Sequence, residues 1–233
     1  MLIYIGLDDT DNAESRGTGR LARAIADDFS ETFSLMGVIR HQLLVDPRVP
    51  YTSHNSSACI LLEAGAVPDL PATLGQIMTR ARSMMEADFQ PGSDPGLCVS
   101  AEVPVEISAF GRRAQHEVVS QQEARQLAEK YGLKLAGLGG SEDGVIGALA
   151  AVGLAASGED GRYIQVGTLR TLSGLQTVET LLQSGIARVC LEDGILVTSG
   201  LVQAEKLRPA RRGSQPVQFV TWQDDTWLPV KLD

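Results

Sequence analysis

Residues 2–12, LIYIGLDDTDN, join a hydrophobic run to three aspartates that fall within four positions. The apolar, β-prone run over residues 2–7 predicts a buried strand. Asp8, Asp9 and Asp11 follow at the end of that strand, where like charges repel and each carboxylate makes ionisation of the others more costly. Either a bound divalent cation or full exposure to water would offset this cost.

The segment after the aspartates predicts a helix. Between Thr18 and Phe33 apolar residues recur at helical spacing with charged residues between them, and the link over residues 10–17 (TDNAESRG) is polar. A strand, an acidic loop and a helix place the loop at the carboxyl end of the strand, where open α/β sheets bind ligands. The pattern therefore favours a binding site over a plain turn.

The remaining sequence predicts an α/β (α+β) fold, a mixed sheet flanked by helices with a small β-rich C-terminal part. A soft boundary near residue 164 divides the chain into a main domain over 1–164 and a helix-plus-hairpins region over 165–233. Further predicted elements are strands over 36–45, 57–63 and 97–107, helices over 71–87, 120–131 and 173–185, and hairpins around 193–194 and 224–225.

Composition limits the class of protein. The 233 residues carry 29 acidic and 20 basic side chains, a formal net charge of −9, which argues against binding nucleic acid by bulk electrostatics. Three cysteines without a C-x-x-C pair fit reduced thiols and give no zinc framework. With no signal-peptide pattern and no apolar stretch of membrane-spanning length, we expect a cytoplasmic protein without a membrane partner.

The aspartates suit magnesium, which takes hard oxygen ligands and commonly one or two protein carboxylates. Asp8 and Asp11 are the predicted metal ligands, while strand alternation directs Asp9 to the opposite side. The alternative is an exposed turn in which the carboxylates cap backbone groups. A third interpretation, an aspartyl nucleophile of the haloacid-dehalogenase type, is incomplete because Ala13 stands where Thr or Val belongs.

A second candidate site lies in the glycine-rich turn GLGGSEDGVIG, residues 137–147. Gly139, Gly140, Gly144 and Gly147 precede or begin a helix of small residues, and a helix N-terminus is suited to phosphate. Tight helix packing explains the same glycines equally well, and neighbouring acidic residues oppose direct phosphate contact. His54, in a Ser/Thr/Asn loop, is a candidate phosphate contact. The basic loop over 206–212 is either a solvated turn or a nucleotide contact.

Five segments in this order resemble one family: GLDDTD, RGTGRLA, DPRVPYTSHNSSA, DPGLCV and DGVIGALAAVG. The chain resembles, over roughly residues 1–160, the kinase-like N-terminal domain of the archaeal isoleucine-tRNA agmatinylcytidine synthetases (the TiaS family). The resemblance implies use of ATP and magnesium to phosphorylate a cytidine carbonyl oxygen in an anticodon. It also places Asp8, Asp9 and Asp11 on the acidic motif, Thr18 on a segment that handles phosphate and undergoes autophosphorylation, and Gly144 and Gly147 on the helix start.

The chain departs from the family pattern at its cations. Where the family loop carries Lys and Arg, residues 52–57 read TSHNSS, and Asp143 occupies a position where the family has arginine. Because phosphoryl transfer depends on cations, Arg16, Arg20 or Arg112 would have to supply the charge. The chain also ends before the family's agmatine-binding, tRNA-binding and zinc-ribbon modules.

These observations predict a Mg²⁺- and ATP-binding, phosphotransferase-like protein. Asp8 and Asp11 would hold the metal, Asp9 would orient a nucleophile or a second metal, Thr18 would accept phosphate, and the glycine turn would cradle phosphates. We expect a small-molecule acceptor rather than tRNA. Whether the chain is an active enzyme stays open, the alternatives being a non-catalytic nucleotide-binding regulatory domain or a Mg²⁺-dependent phosphohydrolase. A homo-oligomer is compatible with the sequence.

Overall fold

The computed structural model describes residues 1–12, 17–49 and 55–232. In these residues twelve strands form one mostly antiparallel sheet accompanied by six helices, which confirms the predicted mixed α/β class with a β-rich C-terminal part. The strands are β1 Leu2–Asp8, β2 Ser34–Gln42, β3 Ser56–Glu63, β4 Gly96–Ser100, β5 Lys134–Gly137, β6 Arg162–Gln165, β7 Leu175–Thr177, β8 Arg188–Cys190, β9 Leu201–Gln203, β10 Ala210–Arg212, β11 Gln215–Gln223 and β12 Thr226–Val230. The helices are α1 Thr18–Phe29, α2 Leu70–Ala87, α3 Val105–His116, α4 Gln121–Tyr131, α5 Gly144–Ser157 and α6 Val178–Gln183.

The strand order places β1 inside the sheet rather than at an edge. The order is β5-β4-β1-β3-β2-β6-β10-β11-β12-β9-β7, with β8 pairing β11 in parallel. β1 is antiparallel to both β3 and β4. The acidic loop is therefore flanked by the first residues of β3 and β4, instead of lying in a crevice between parallel strands.

The two faces of the sheet bury different helices. Ile3, Ile5 and Leu7 of β1 point to the side covered by α1 and α2. The opposite face packs against α3 and α5, and α5 approaches β1 so closely that a Cβ at Gly6 would overlap the carbonyl group of Ala148. The small residues of α5 thus serve close packing, and this contact brings the start of α5 next to the end of β1.

Local signals located several elements well. α1 begins at Thr18 as predicted but ends at Phe29 rather than Phe33. Ser120 caps α4 by accepting a hydrogen bond from the Glu123 N–H at 3.2 Å, and Gly132 ends that helix in the left-handed conformation (φ 70°). The hairpin of β11 and β12 turns at residues 224–225, also as predicted.

Three segments differ from their prediction. The strand predicted over 97–107 ends at Ser100, because Val105 already lies in the first turn of α3. Residues 173–185 contain the short strand β7 followed by the six-residue helix α6, instead of one helix. The basic loop over 206–212 is only partly a loop, since its last three residues form β10.

The predicted boundary near residue 164 falls within β6. This strand pairs with β2 on one side and with β10 on the other, so the sheet runs on from the N-terminal region into the C-terminal strands. None of the helices in the described part of the chain is long and apolar enough to span a membrane.

Candidate functional site

Five carboxylates line a cavity of about 300 Å³ at the end of β1. They belong to Asp8, Asp9, Asp11, Asp94 and Asp143, and we call this site the acidic cavity. Asp94 precedes β4 and Asp143 precedes α5, so the neighbours of β1 bring two further acidic residues to the predicted cluster. All three aspartates of the opening motif line the same cavity.

Asp8 and Asp9 are partly buried, and burial disfavours the ionised form of both carboxyl groups. Desolvation, followed by the charge of Asp9, raises the pKa of Asp8 well above its ordinary value. Desolvation and the charges of Asp94 and Asp11 raise the pKa of Asp9 to about 6. Asp9 has left the strand and adopts a positive φ of 49°, so strand alternation no longer applies to it and it lines the cavity with its neighbours. A cation would relieve this repulsion.

Asp11 is linked directly to the first residue of α1. The Thr18 hydroxyl donates a hydrogen bond to Asp11 Oδ1 at 3.2 Å. Thr18 is largely buried, and the preceding Gly17 has a φ of 82°, which allows the chain to turn tightly into the helix beside the carboxylate. The pair therefore fixes a hydroxyl and a carboxylate next to each other at the start of a helix.

The glycine-rich turn lies beside the aspartates, and several of its N–H groups donate hydrogen bonds within the protein. Gly144 N–H donates to the Asp94 carbonyl at 3.0 Å, and Ser141 N–H donates to Asp94 Oδ1 at 2.6 Å. A Cβ at Gly147 would overlap the Asp8 carboxylate, and a Cβ at Gly140 would overlap that of Asp94. The glycines thus allow α5 to approach the acidic residues closely. Gly139, in the same turn, lies against the Phe89 ring.

Besides the five carboxylates, the acidic cavity is lined by aliphatic side chains, by the amides of Asn55 and Gln121 and by Arg48. The Asn55 side chain donates a hydrogen bond to the Leu44 carbonyl at 2.7 Å. Aliphatic side chains with amide groups among them are the kind of lining that accommodates a flat organic group. The aliphatic lining comes from Leu43, Leu44, Val49, Ala114, Val118, Val119 and Ile146.

Several predicted or alternative site residues have other positions. His54 and Arg16 lie outside the described residues. Arg112 is exposed on α3. Among the described residues, no three Asp, Glu, His or Cys groups form a preformed metal-ligand set. This finding is compatible with magnesium, which commonly takes only one or two carboxylates and completes its octahedron with water and phosphate oxygens.

Sequence reasoning missed a basic pocket on the other side of Asp11. Asp11 and Ser56 line both this pocket, of about 310 Å³, and the acidic cavity. The sequence singled out Arg20 and the basic loop over 206–212 separately, but it could not show that their cations meet, because these residues are spread from α1 to the loop before β10. We call it the arginine pocket, and its cations are Arg20, Arg23, Arg40, Arg162 and Arg208.

Comparisons with known proteins find relatives for part of this chain. The chain is 29% identical over 157 residues to TiaS, the isoleucine-tRNA 2-agmatinylcytidine synthetase of Pyrococcus horikoshii, a match that covers 66% of this chain and 36% of that protein. The TiaS of Archaeoglobus fulgidus is 26% identical over 155 residues, with the same coverage. No family model matches the chain. Over about two thirds of its length the chain is homologous to the N-terminal part of TiaS, and it spans about a third of the length of these relatives.

Solved structures give the same result for the fold. The TiaS in a complex with its isoleucine tRNA and ATP superposes with a TM-score of 0.56 at 23% identity, covering 66% of this chain and 36% of that one. A tRNA fluorescent labelling enzyme superposes with a TM-score of 0.55 at 25% identity, with the same coverage. The fold of roughly two thirds of this chain is therefore shared with the fold of tRNA-modifying proteins.

Proposed function

We propose that the end of β1 is a magnesium-dependent ATP site that transfers a phosphoryl group. The observation that carries the proposal is the convergence of Asp8, Asp9 and Asp11 on one cavity, with Thr18 hydrogen-bonded to Asp11. Homology to TiaS, whose solved complexes include one with its isoleucine tRNA and ATP, supports the same chemistry. The predicted nucleotide partner and the two predicted cofactors, Mg²⁺ and ATP, belong to this proposal.

The acidic residues fit a divalent cation. Asp8 and Asp11 offer the oxygen ligands, and the raised pKa values of Asp8 and Asp9 reflect a cavity that opposes their negative charge when no cation is bound. Magnesium would supply charge neutralisation at the phosphates and at the leaving oxygen. A hard dication also suits this donor set, which contains oxygen only.

Thr18 and Asp11 have the arrangement of a nucleophile and its base. In this mechanism Thr18 Oγ1 forms a bond to the terminal phosphorus of ATP, the bond to the bridging oxygen breaks, and ADP departs with that oxygen. The hydroxyl proton passes to the Asp11 carboxylate, with which it is already hydrogen-bonded. Asp9 faces the same cavity and would orient the group that accepts phosphate next.

The final acceptor in this proposal is an oxygen of an RNA base. The expectation of a small-molecule acceptor gains no support from the comparisons, because the relatives act on an isoleucine tRNA. The apolar wall of the acidic cavity, with Asn55 beside it, is suited to a base, and the net charge of −9 would confine RNA contact to local patches.

The test is transfer of the labelled terminal phosphate of ATP, followed separately into protein, into a tRNA pool and into free phosphate, with Mg²⁺ or with EDTA. We expect Mg²⁺-dependent label in the wild type and in Glu86→Gln, an exposed control on α2, and none in Asp8→Asn/Asp11→Asn. Label in the double variant equal to wild type would refute the proposal. ATP binding without any transfer would favour the non-catalytic regulatory alternative, and release of phosphate from simple esters without ATP would favour the phosphohydrolase.

A further inference from the structure

A row of polar side chains crosses three neighbouring strands behind the acidic cavity. The register places Ser57 of β3 opposite His41 of β2. The register of β1 with β3, in which Leu7 lies opposite Ala58, continues to Asp8 and Ser57. Residues opposite one another in antiparallel strands point to the same face, with Cβ atoms about 4.5–5.5 Å apart. Asp8, Ser57 and His41 are therefore side-by-side neighbours on one face of the sheet.

The polar row faces the interior of the protein. The next row on the same face holds Gly6, Cys59 and Ile39, because strand residues two apart share a face. Cys59 and Ile39 belong to the hydrophobic core that includes residues of α3 and α5. The sheet thus changes from small and apolar to polar side chains beneath these helices, at the point where β1 reaches the acidic cavity.

Two members of the row are buried with unsatisfied polar atoms. His41 is 0% exposed and Ser57 is 1% exposed. In the part of the chain that the structure describes, neither His41 Nε2 nor Ser57 Oγ has a hydrogen-bond partner. A buried polar atom without a partner destabilises the fold, and such atoms are rare in proteins. Their occurrence on two directly opposed residues points to a shared role.

The end of the row away from the cavity is fixed by hydrogen bonds. His41 Nδ1 lies 2.6 Å from Asp160 Oδ1, and because an ionised carboxylate only accepts, the ring nitrogen donates. Asp160 Oδ2 accepts from Gln115 Nε2 at 2.9 Å, and the same amide donates to the Gln42 carbonyl at 3.0 Å. The His41 ring is therefore held in one orientation, with Nε2 as its remaining polar atom.

The other end of the row meets α5 and the acidic cavity. Residues 144–156 of α5 are all Gly, Ala, Val, Leu or Ile, so this part of the helix offers no polar side chain to Ser57 or His41. The Asp8 carboxylate lines the acidic cavity and lies so close to α5 that a Cβ at Gly147 would overlap it. Packing against α5 limits where this carboxylate can lie, and a donor on the β3 side would fix its rotation.

We propose that His41 and Ser57 are positioning residues that orient the Asp8 carboxylate for a metal ion. Nδ1 of His41 donates to Asp160, Nε2 donates to Ser57 Oγ, and the Ser57 hydroxyl, rotated about χ1, donates to Asp8. This inference rests on the proposed function, in which Asp8 is a metal ligand, and deepens it by naming the groups behind that ligand. Hydrogen bonds to a ligating carboxylate hold it in the orientation that the metal requires.

The test measures binding of Mn²⁺, a spectroscopic substitute for Mg²⁺, by electron paramagnetic resonance without ATP. We expect Ser57→Ala to bind Mn²⁺ at least about tenfold more weakly than wild type. The matched control is Ser184→Ala, which also removes a buried serine hydroxyl, one that donates to the Leu181 carbonyl at 2.7 Å. This control should lower the melting temperature yet bind Mn²⁺ like wild type. Equal Mn²⁺ affinity in wild type and Ser57→Ala would overturn the inference.

A double-mutant cycle separates positioning from a purely structural role. If His41 acts through Ser57, His41→Asn should weaken Mn²⁺ binding about as much as Ser57→Ala, and the double variant should lose little more. Ser57→Thr keeps the hydroxyl and should retain most of the affinity. Additive losses in the double variant would overturn the inference. If His41→Asn does not fold, as judged by circular dichroism, Asp160→Asn takes its place in the cycle.

The outcomes also separate this inference from the proposed function. Mg²⁺-dependent phosphoryl transfer with equal Mn²⁺ affinity in wild type and Ser57→Ala would overturn the inference alone. Wild type that neither binds Mn²⁺ nor transfers phosphate would overturn both. Weaker Mn²⁺ binding in Ser57→Ala, in a protein that transfers no phosphate, would support the positioning role and remove the phosphotransferase.

Discussion

The Thr18 hydroxyl and the Asp11 carboxylate, 3.2 Å apart, stand where the acidic cavity meets the arginine pocket. Thr18 lines the arginine pocket, and Asp11 lines both spaces. One hydrogen bond therefore connects a region of negative charge to a region of positive charge. The proposed phosphoryl transfer would use this hydrogen bond to hold the Thr18 hydroxyl beside a carboxylate.

Replacing Thr18 tests its role as phosphate acceptor. Thr18→Ala removes the hydroxyl, so we expect loss of Mg²⁺-dependent labelling of the protein by ATP, while Thr18→Ser keeps the hydroxyl and the label. Loss of the hydrogen bond to Asp11 should cost about 1 kcal/mol of unfolding free energy. Mass spectrometry locates the label, and labelling of Thr18→Ala at the wild-type level would exclude Thr18 as the acceptor.

A methyl group at Gly147 should displace the Asp8 carboxylate. A Cβ there would overlap Asp8, whereas a Cβ at Gly75 in α2 meets nothing within 4 Å. Gly147→Ala is expected to lose about 1–3 kcal/mol of unfolding free energy by overpacking, together with Mg·ATP binding. Gly75→Ala should gain up to about 1 kcal/mol from helix propensity. Urea unfolding gives both values, and a Gly147→Ala protein as stable as wild type with intact binding would contradict the packing described.

The raised pKa of Asp9 predicts a pH dependence of stability. Because the folded-state pKa is about 6 and the ordinary value is 3.8, the folded state holds its proton more tightly. The stabilising contribution is complete below about pH 4 and is lost as pH rises through 6. In EDTA, Asp9→Asn should therefore be more stable than wild type at pH 7.5 by about 1 kcal/mol, after allowance for its partial exposure.

Thermal melts at pH 5 and at pH 7.5 measure this effect, and Mg²⁺ should reduce the difference between wild type and Asp9→Asn at the higher pH. Parallel pH profiles for the two proteins, with or without Mg²⁺, would show that the cavity does not oppose ionisation of Asp9.

The contact between the buried His41 and Asp160 is expected to stabilise the folded protein. Its Nδ1 lies 2.6 Å from Asp160 Oδ1, and Asp160 Oδ2 accepts from Gln115 at 2.9 Å. Burial raises the pKa of Asp160, but the hydrogen bond and charge of His41 outweigh it and lower the pKa overall. Asp160→Asn should cost about 1–3 kcal/mol of unfolding free energy, against about 0.5 kcal/mol or less for Glu86→Gln in an exposed pair. If urea unfolding gave the same loss of unfolding free energy for Asp160→Asn as for Glu86→Gln, the buried pair would contribute no more to stability than an exposed one.

Local patterns in the sequence were sufficient to predict β1, the start of α1 and both ends of α4. The run before Asp8 has the composition of a buried strand, and the spacing after Thr18 has the period of a helix. Ser120 and Gly132 mark the ends of α4 because capping depends on neighbouring residues alone. The positions of the residues nearest the proposed reaction could therefore be predicted from the sequence.

Features that depend on contacts between distant parts of the chain could not be predicted from the sequence. In the sequence Asp94 stood out only as the first residue of the DPGLCV segment, and its place in the acidic cavity follows from the pairing of β4 with β1. The arginine pocket brings Arg23 of the first helix next to Arg208, which lies near the other end of the chain. The start of α3 was predicted as strand because VPVEI alternates like one, whereas the fold places Val105 in a helix packed near α5.

The most direct test of the central claim, that the end of β1 binds magnesium and ATP together, is titration calorimetry of ATP with Mg²⁺ and with EDTA. The account predicts tight binding to wild type and to Glu86→Gln only with Mg²⁺ present, and loss of that Mg²⁺-dependent gain in Asp8→Asn/Asp11→Asn. Binding to the double variant that still depends on Mg²⁺, or no binding to wild type under either condition, would contradict it.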